Sequence, residues 1–271
     1  MIRRLLAHPL ARDLDLDDPQ TTAVRRRILQ RKGFLRQIYH EWYQALLTAL
    51  PQTDGPVLEL GSGAGFLRDS FPELITSDIL HVKDLSVVLD ANEIPFRAGS
   101  LRAIVMIDVL HHLGRPRRFF REATRCVKPL GGLVMIEPWV TDWSRVVYSR
   151  LHHEPFDPES GEWEFPMKGP LSGANGALPW ILFQRDRQQF AAEFPQWRVE
   201  SIEPQMPISY LLSGGVSLRG FAPARAFGPV RRLEERLAPW MHKLAMFAQI
   251  TLARLDLGDD EEGELQREQS G

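Results

Sequence analysis

Between Pro56 and Glu137 the chain sets out five short apolar runs: PVLEL (56–60), LITSD (74–78), LSVVLD (85–90), LRAIVMID (101–108) and GGLVMIE (131–137). Several are apolar at successive positions, which suits strands covered on both faces. Intervals of helical character separate them, the clearest being RPRRFFREATRCV (115–127). Strand, helix, strand, helix in this order predicts an α/β fold built on a doubly wound, mostly parallel sheet. Two later runs, WRVESIE (197–203) and FAQITLARL (247–255), predict an antiparallel pair, with the last strand running against the others.

The flanks divide by pattern. In the first 51 residues Asp17 or Asp18 can cap a helix with Pro19 in its first turn. Val24, Ile28, Leu35, Ile38, Trp42 and Leu46 then follow near helical spacing, with a break expected at Gly33. Residues 1–51 therefore read as an N-terminal helical cap and 52–138 as the core of the sheet. Residues 139–184 read as an irregular, lid-like insertion, because Trp139, Trp143, Tyr148, Phe156, Trp163, Phe165 and Trp180 fall among Pro, Gly and Ser. Such rings either cover an apolar or ring-bearing ligand or form a satellite core under a long loop. Residues 185–255 complete the sheet, with a helix near Asp186–Phe194 and a second insertion at 204–246. Residues 256–271 form an acidic tail, expected to be disordered.

Charge and cysteine usage narrow the function. The formal charge is −2, but the tail alone carries −6, which leaves the body near +4. That is too little to argue for nucleic acid. A single cysteine, Cys126, excludes an internal disulfide and fits a reducing compartment; its place in a helix marks it as a packing residue. The first residues, MIRRLLAHPLARD, are broken by His8 and Pro9, so no signal peptide is expected. No stretch approaches ~18 uninterrupted apolar residues, so no transmembrane segment is expected. A cytoplasmic, soluble protein is the expectation.

The first run leads into VLELGSGAGF (57–66), a glycine-rich turn directly after a strand. In an open parallel sheet this is where a ligand touches main chain. A dinucleotide loop needs G-x-G-x-x-G, and Phe66 stands where its third glycine belongs. A phosphate-cradling loop needs Gly-Lys-Ser/Thr, which is absent.

On these residues the chain resembles the class I S-adenosylmethionine-dependent methyltransferases, in particular the small-molecule branch that includes quinone-ring methyltransferases. The resemblance spans roughly Gly55–Glu137 and rests on several ordered motifs. It implies that Gly61, Ser62, Gly63 and Gly65 surround the methionine part of the cofactor and that Glu59 faces its amino-acid end. ITSDI resembles the second motif, with Asp78 accepting both ribose hydroxyls and Ile79 beside it; two acceptor oxygens on one carboxylate suit a vicinal diol. LDANEIPF resembles the third, with Asp90 taking the adenine amino group and Ala91 and Asn92 along the ring edge. MIDVLHHL resembles the segment after strand four, with Asp108 to Leu113 lining the cofactor and facing the acceptor. The turn Lys128-Pro129-Leu130-Gly131-Gly132 is one residue longer than the family's usual KPGG. The interval from Gly61 to Asp78 is short, so the first helix must be brief.

Methyl transfer from a sulfonium mainly requires that the acceptor be positioned ~3 Å from the methyl carbon with water excluded. A base is needed only when the acceptor loses a proton. His111 and His112 are candidates; at most one faces the acceptor, since adjacent residues leaving a strand point opposite ways. The alternative is that both are structural. Glu137 points either into the acceptor pocket or into a buried hydrogen-bonded role. LHHEPFD (151–157) offers His152 and His153 as substrate contacts, and Arg219 beside Gly214-Gly215 offers a contact for an acidic group. No metal is expected, because that cluster has no helical His spacing and Pro155 breaks any helix. The chain lacks the N/D/S-P-P-Y/F quartet and the Pro-Cys pair of enzymes that methylate DNA bases.

The predicted activity is methyl transfer from S-adenosylmethionine to a small-molecule or a lipid- or sugar-linked acceptor, at oxygen. Two alternatives are a cofactor-binding partner protein without turnover and a nicotinamide-dependent oxidoreductase. A basic amphipathic segment, with Val230, Leu233 and Leu237 among Arg231, Arg232 and Arg236 and followed by Trp240, Met241, Leu244 and Phe247, permits peripheral contact with an anionic membrane. Its alternative is an ordinary helix packed on the sheet.

Overall fold

A computed structural model describes residues 8–11, 17–151, 154–167, 169 and 171–256. The acidic tail beyond Asp256, His152 and His153 lie outside the described residues. Seven strands form one sheet: β1 Val57–Leu60, β2 Ile75–Asp78, β3 Val87–Val88, β4 Leu101–Ile107, β5 Val127–Pro138, β6 Trp197–Gln205 and β7 Phe247–Arg254. Their order is β3-β2-β1-β4-β5-β7-β6. Neighbouring strands run parallel from β3 to β5, and β7 pairs antiparallel with both β5 and β6. The fold is the predicted Rossmann-like one, with a reversed last strand.

The double-sided apolar runs have a direct cause. Successive residues of a strand face opposite ways, and both faces of this sheet are covered. On β4, Ile104 and Met106 join one buried cluster, with Phe119, Phe120 and Phe190. Ala103 and Val105 join the other, with Leu35, Ile38 and Trp42. The first cover is α3 (Pro116–Cys126), with α5 (Arg187–Glu193) beside it; the second is α2 (Gly33–Thr48).

The N-terminal cap begins with α1 (Pro19–Arg31), where Asp18 Oδ1 accepts from Gln20 N at 2.8 Å and Pro19 opens the first turn. The break falls at Lys32, one residue before the expected position; Gly33 opens α2, and a Cβ there would stand 2.9 Å from Ala224 Cβ. Beside it, Lys32 Nζ donates to the Gly215 and Leu218 carbonyls at 2.5 and 2.9 Å. This binds the cap to the second insertion.

Three elements differ from the sequence reading. The run 85–90 yields only Val87–Val88, an edge strand whose Val88 is exposed, so its apolar character does not come from two-sided burial. The helix after the glycine turn shrinks to one 3-10 turn, Leu67–Asp69, shorter than even a brief helix. The 139–184 insertion is not irregular throughout, because it contains α4 (Asp142–Leu151). A reciprocal cap starts α4: Thr141 N donates to Ser144 Oγ at 2.8 Å and Ser144 N to Thr141 Oγ1 at 3.0 Å. Most of this insertion's aromatic surface is packed. Trp139, Tyr148 and Trp163 are buried, and Trp163 Nε1 donates to Asp186 Oδ2 at 2.8 Å. In the second insertion, α6 (Phe227–Arg236) carries Glu234, which is fully buried and accepts from Ile208 N and Ser209 N.

Candidate active site

The strand order reverses between β1 and β4, and a cavity of about 740 Å³ opens there at the carboxyl ends of the strands. Of the residues that the resemblance assigned to the cofactor, those of the glycine turn, Glu59, Asp78, Ile79, Asp90, Ala91, Asn92 and Asp108 border it, whereas Leu110 and His111 do not. Of the candidates for chemistry, His112 borders it; His111 and Glu137 lie behind the wall, and Arg219 is exposed outside.

The crevice end is built on main chain. Gly61 turns the chain at φ +67°, and a Cβ there would collide with Val109. Gly65 N donates to the Ser62 carbonyl at 2.7 Å, and a Cβ on Gly65 would stand 2.7 Å from the Tyr43 hydroxyl. That hydroxyl accepts from Phe66 N at 2.9 Å. Two of the three glycines are therefore required by protein neighbours as well as by any ligand. Sequence reasoning missed Tyr43, whose only signal was a polar aromatic within the apolar stripe of α2.

Three carboxylates border the crevice. Glu59 is buried, accepts from Ser62 Oγ at 2.6 Å, and is pushed up to about 7, chiefly by burial. Asp78 accepts from Gly63 N at 3.0 Å on one oxygen and from Leu80 N at 2.9 Å on the other, with the Ile79 backbone a further donor, so part of its acceptor capacity remains for a ligand. Burial raises its carboxyl too. Asp90 accepts from Asn92 N and Asn92 Nδ2, both on Oδ1. This donor and acceptor set fits a cationic sulfur nucleoside with a diol and an ammonium group.

The inner end is built on side chains. Glu137 is fully buried; its Oε1 accepts from Val109 N and Leu110 N at 2.8 and 2.7 Å, and its Oε2 lies 2.7 Å from His111 Nδ1. Of its two expected roles, Glu137 occupies the buried hydrogen-bonded one. His111 Nε2 lies 3.5 Å from Glu154 Oε2. Burial disfavours the charged imidazole, but Glu137 and Glu154 outweigh it and hold His111 well above its usual range. His112 is instead lowered to about 4, by burial and then by His111. Its Nδ1 lies 3.1 Å from the Gly173 carbonyl. Asp108 faces the cavity at the end of β4 with φ +62°, and burial pushes its carboxyl up to about 7.

The sequence reading also missed Arg25 on α1, which borders the cavity, and of the seven insertion aromatics only Phe165 borders it. Glu154 borders it as well.

Comparison with known proteins agrees with this geometry. The model of a family described as "Methyltransferase domain" matches residues 32–203, more than half of the chain. The fold is shared with a complex between the Haloferax volcanii Trm112 methyltransferase activator and a putative methyltransferase: TM-score 0.52, 13% identity, 89% of this chain and 98% of that one covered. Streptomyces coelicolor A3(2) geranyl diphosphate C-methyltransferase, in complex with Mg2+, geranyl diphosphate and S-adenosyl-L-homocysteine, aligns with TM-score 0.48 and 12% identity over 93% of this chain and 89% of that one. The PH0226 protein from Pyrococcus horikoshii OT3 aligns with TM-score 0.46 and 17% identity over 82% and 92%. No curated protein matches the chain. The fold and site define a class I methyltransferase architecture. The chain belongs to the methyltransferase-domain family, the S-adenosylmethionine-dependent enzymes its motifs resemble.

Proposed function

We propose that this chain transfers a methyl group from S-adenosylmethionine to a hydroxyl oxygen of a small-molecule acceptor. The observation that carries the reading is the continuity of one cavity: Glu59, Asp78 and Asp90 border the same space as Asp108, His112 and Glu154. When bound, the cofactor supplies an activated methyl carbon on a sulfonium.

The chain's own residues then do four things. Asp78 offers its remaining acceptor capacity to the ribose diol, and Asp90 offers Oδ2 to the adenine amino group. Glu59, beside the glycine turn, balances the ammonium group. Phe165 and Met167, with Arg25 and Tyr39 from the helical cap, border the acceptor side and exclude water. Asp108, a carboxylate that faces the cavity, receives the proton that the hydroxyl loses.

Melting scans with S-adenosylmethionine, S-adenosylhomocysteine and NAD test the cofactor half. A ligand at 100 times its Kd adds roughly 2.7 kcal/mol of stability. Stabilisation by NAD alone would overturn the reading. Labelled-methyl transfer into a cell extract tests turnover; binding without transfer would favour a partner protein.

A second reading, a lipid-linked acceptor, is favoured by one surface observation. Leu233 on α6 and Trp240 just after it are exposed, next to Arg232, Arg236 and Lys243. Trp143 and Val146 on α4, which packs against the Met241–Leu244 turn, are exposed as well. Among the described residues no helix is long and apolar enough to cross a membrane. Failure to sediment with anionic vesicles would end this second reading.

A further inference from the structure

Side chains that the methyl-transfer reading leaves without a task meet at one point of the cavity wall, with His112 and Glu154 on it and His111 directly behind. His111 and His112 stand on the 3-10 turn after β4, and Glu154 on the segment after α4. One ligand-capable atom from each lies within 4.8 Å of the others. Both ring orientations are fixed from behind. His111 Nδ1 is bonded to the Glu137 carboxylate and His112 Nδ1 to the Gly173 carbonyl. Carbonyl and carboxylate oxygens only accept, so both Nδ1 atoms carry hydrogen. Both Nε2 atoms then turn towards Glu154, at 3.5 Å from Oε2 and 3.9 Å from Oε1.

Metal-binding imidazoles are held in this way, with the second ring nitrogen donating to a carboxylate or carbonyl that sets tautomer and direction. Ligand atoms about 2.0–2.2 Å from a tetrahedral ion stand roughly 3.3 Å from one another. The imidazole nitrogens stand 3.5 and 3.9 Å from the two oxygens of Glu154, and one ligand atom from each residue lies within 4.8 Å of the others, so an ion would draw the three side chains inwards. Charge favours a dication too, since Asp108 and Glu137 flank His111 along with Glu154. Two imidazoles and one carboxylate suit a borderline transition ion, whereas magnesium and calcium prefer oxygen alone.

We propose that His111, His112 and Glu154 bind one divalent transition-metal ion of zinc-like preference, with an open coordination position towards the cavity. Its task rests on the methyl-transfer reading. An acceptor hydroxyl in the open position loses its proton to Asp108, its oxygen lone pair forms the new O–C bond, and the C–S pair leaves with sulfur. The sequence hides such a site, because residues 111–112 and 154 are far apart in the chain and neither has a metal spacing of its own.

The full chain, stripped with a chelator and titrated with Co2+, tests the site by visible absorption and by competition with Zn2+. The expected result is one equivalent bound, with bands of a four- or five-coordinate nitrogen and oxygen site that zinc abolishes. Glu154→Gln and His112→Ala should each weaken cobalt binding at least tenfold while keeping thermal stabilisation by S-adenosylmethionine, which shows that they fold. Less than one equivalent bound by the parent chain, or equal affinity in parent and variants, would overturn the proposal. Cobalt binding without stabilisation by S-adenosylmethionine would leave the metal site standing and remove the methyl-transfer reading; the converse would remove only the metal site.

Discussion

The two ends of the cavity are made by opposite means. The crevice end comes from a short stretch, Glu59 to Asp90, and is shaped by backbone turns that leave carboxylate lone pairs open. The inner end gathers residues from the distant segments at 108–112, 137, 154 and 173, and most of their polar atoms are bonded to each other. Open lone pairs at the first serve a ligand; at the second, the closed bonds of Glu137 serve the fold. Substitution of Glu137 should therefore cost stability, and substitutions at the crevice should cost binding.

The largest expected effect is at Glu137. Glu137→Ala leaves one buried and one half-buried main-chain N–H group and a buried imidazole without their acceptor, and should destabilise the chain by about 3–5 kcal/mol. A urea titration showing a loss below about 1 kcal/mol would break the comparison. Next comes Asp78→Asn, expected to weaken S-adenosylmethionine binding by on the order of 100-fold, about 3 kcal/mol, with a smaller change in the unliganded melting point. Unchanged affinity by calorimetry would remove the ribose assignment.

Glu59→Gln sharpens the comparison through pH. The folded chain holds the Glu59 proton up to about 7, whereas the unfolded chain releases it near 4.5. The folded state thus binds more protons over that window, and this residue's contribution to stability falls as pH rises through it. The variant should lack that part of the slope, a difference of roughly 3 kcal/mol between pH 4 and 8; parallel pH–stability curves would contradict it. Smallest is Tyr43→Phe, costing about 1 kcal/mol for the bond from Phe66 N. It should also relieve the penalty of Gly65→Ala, which a double-mutant cycle would read as coupling; additive effects would mean that Tyr43 does not set the space at Gly65.

Legibility in the sequence follows the same division. β1, β4 and β5 could be read because burial on both faces leaves an uninterrupted apolar run, and the glycine turn because its residues are adjacent. β3 was overdrawn because an edge strand with an exposed Val88 resembles a buried one on the page. α4 was missed because its cap, Thr141 with Ser144, hides among aromatic residues. The assembly of His111, Glu137 and Glu154 was unreadable for a different reason: nothing local links the end of β4, the end of β5 and the start of a loop. Adjacent His111 and His112 looked interchangeable, and only the fold separates an imidazole between two carboxylates from one bonded to a carbonyl.

The single 3-10 turn after the glycine loop has a consequence for what counts as the smallest working piece of this protein. With so short a turn there, the loop has no helix of its own to lean on or to supply a dipole. Its brace is borrowed: Phe66 packs edge-on to Tyr43 at 4.9 Å and beside His40 and Tyr39, all on α2. A version trimmed to start at the first strand would lose the scaffold of its own ligand cradle. The portable unit begins with the helices that precede the sheet, and shortening from that side should cost function before it costs the strands.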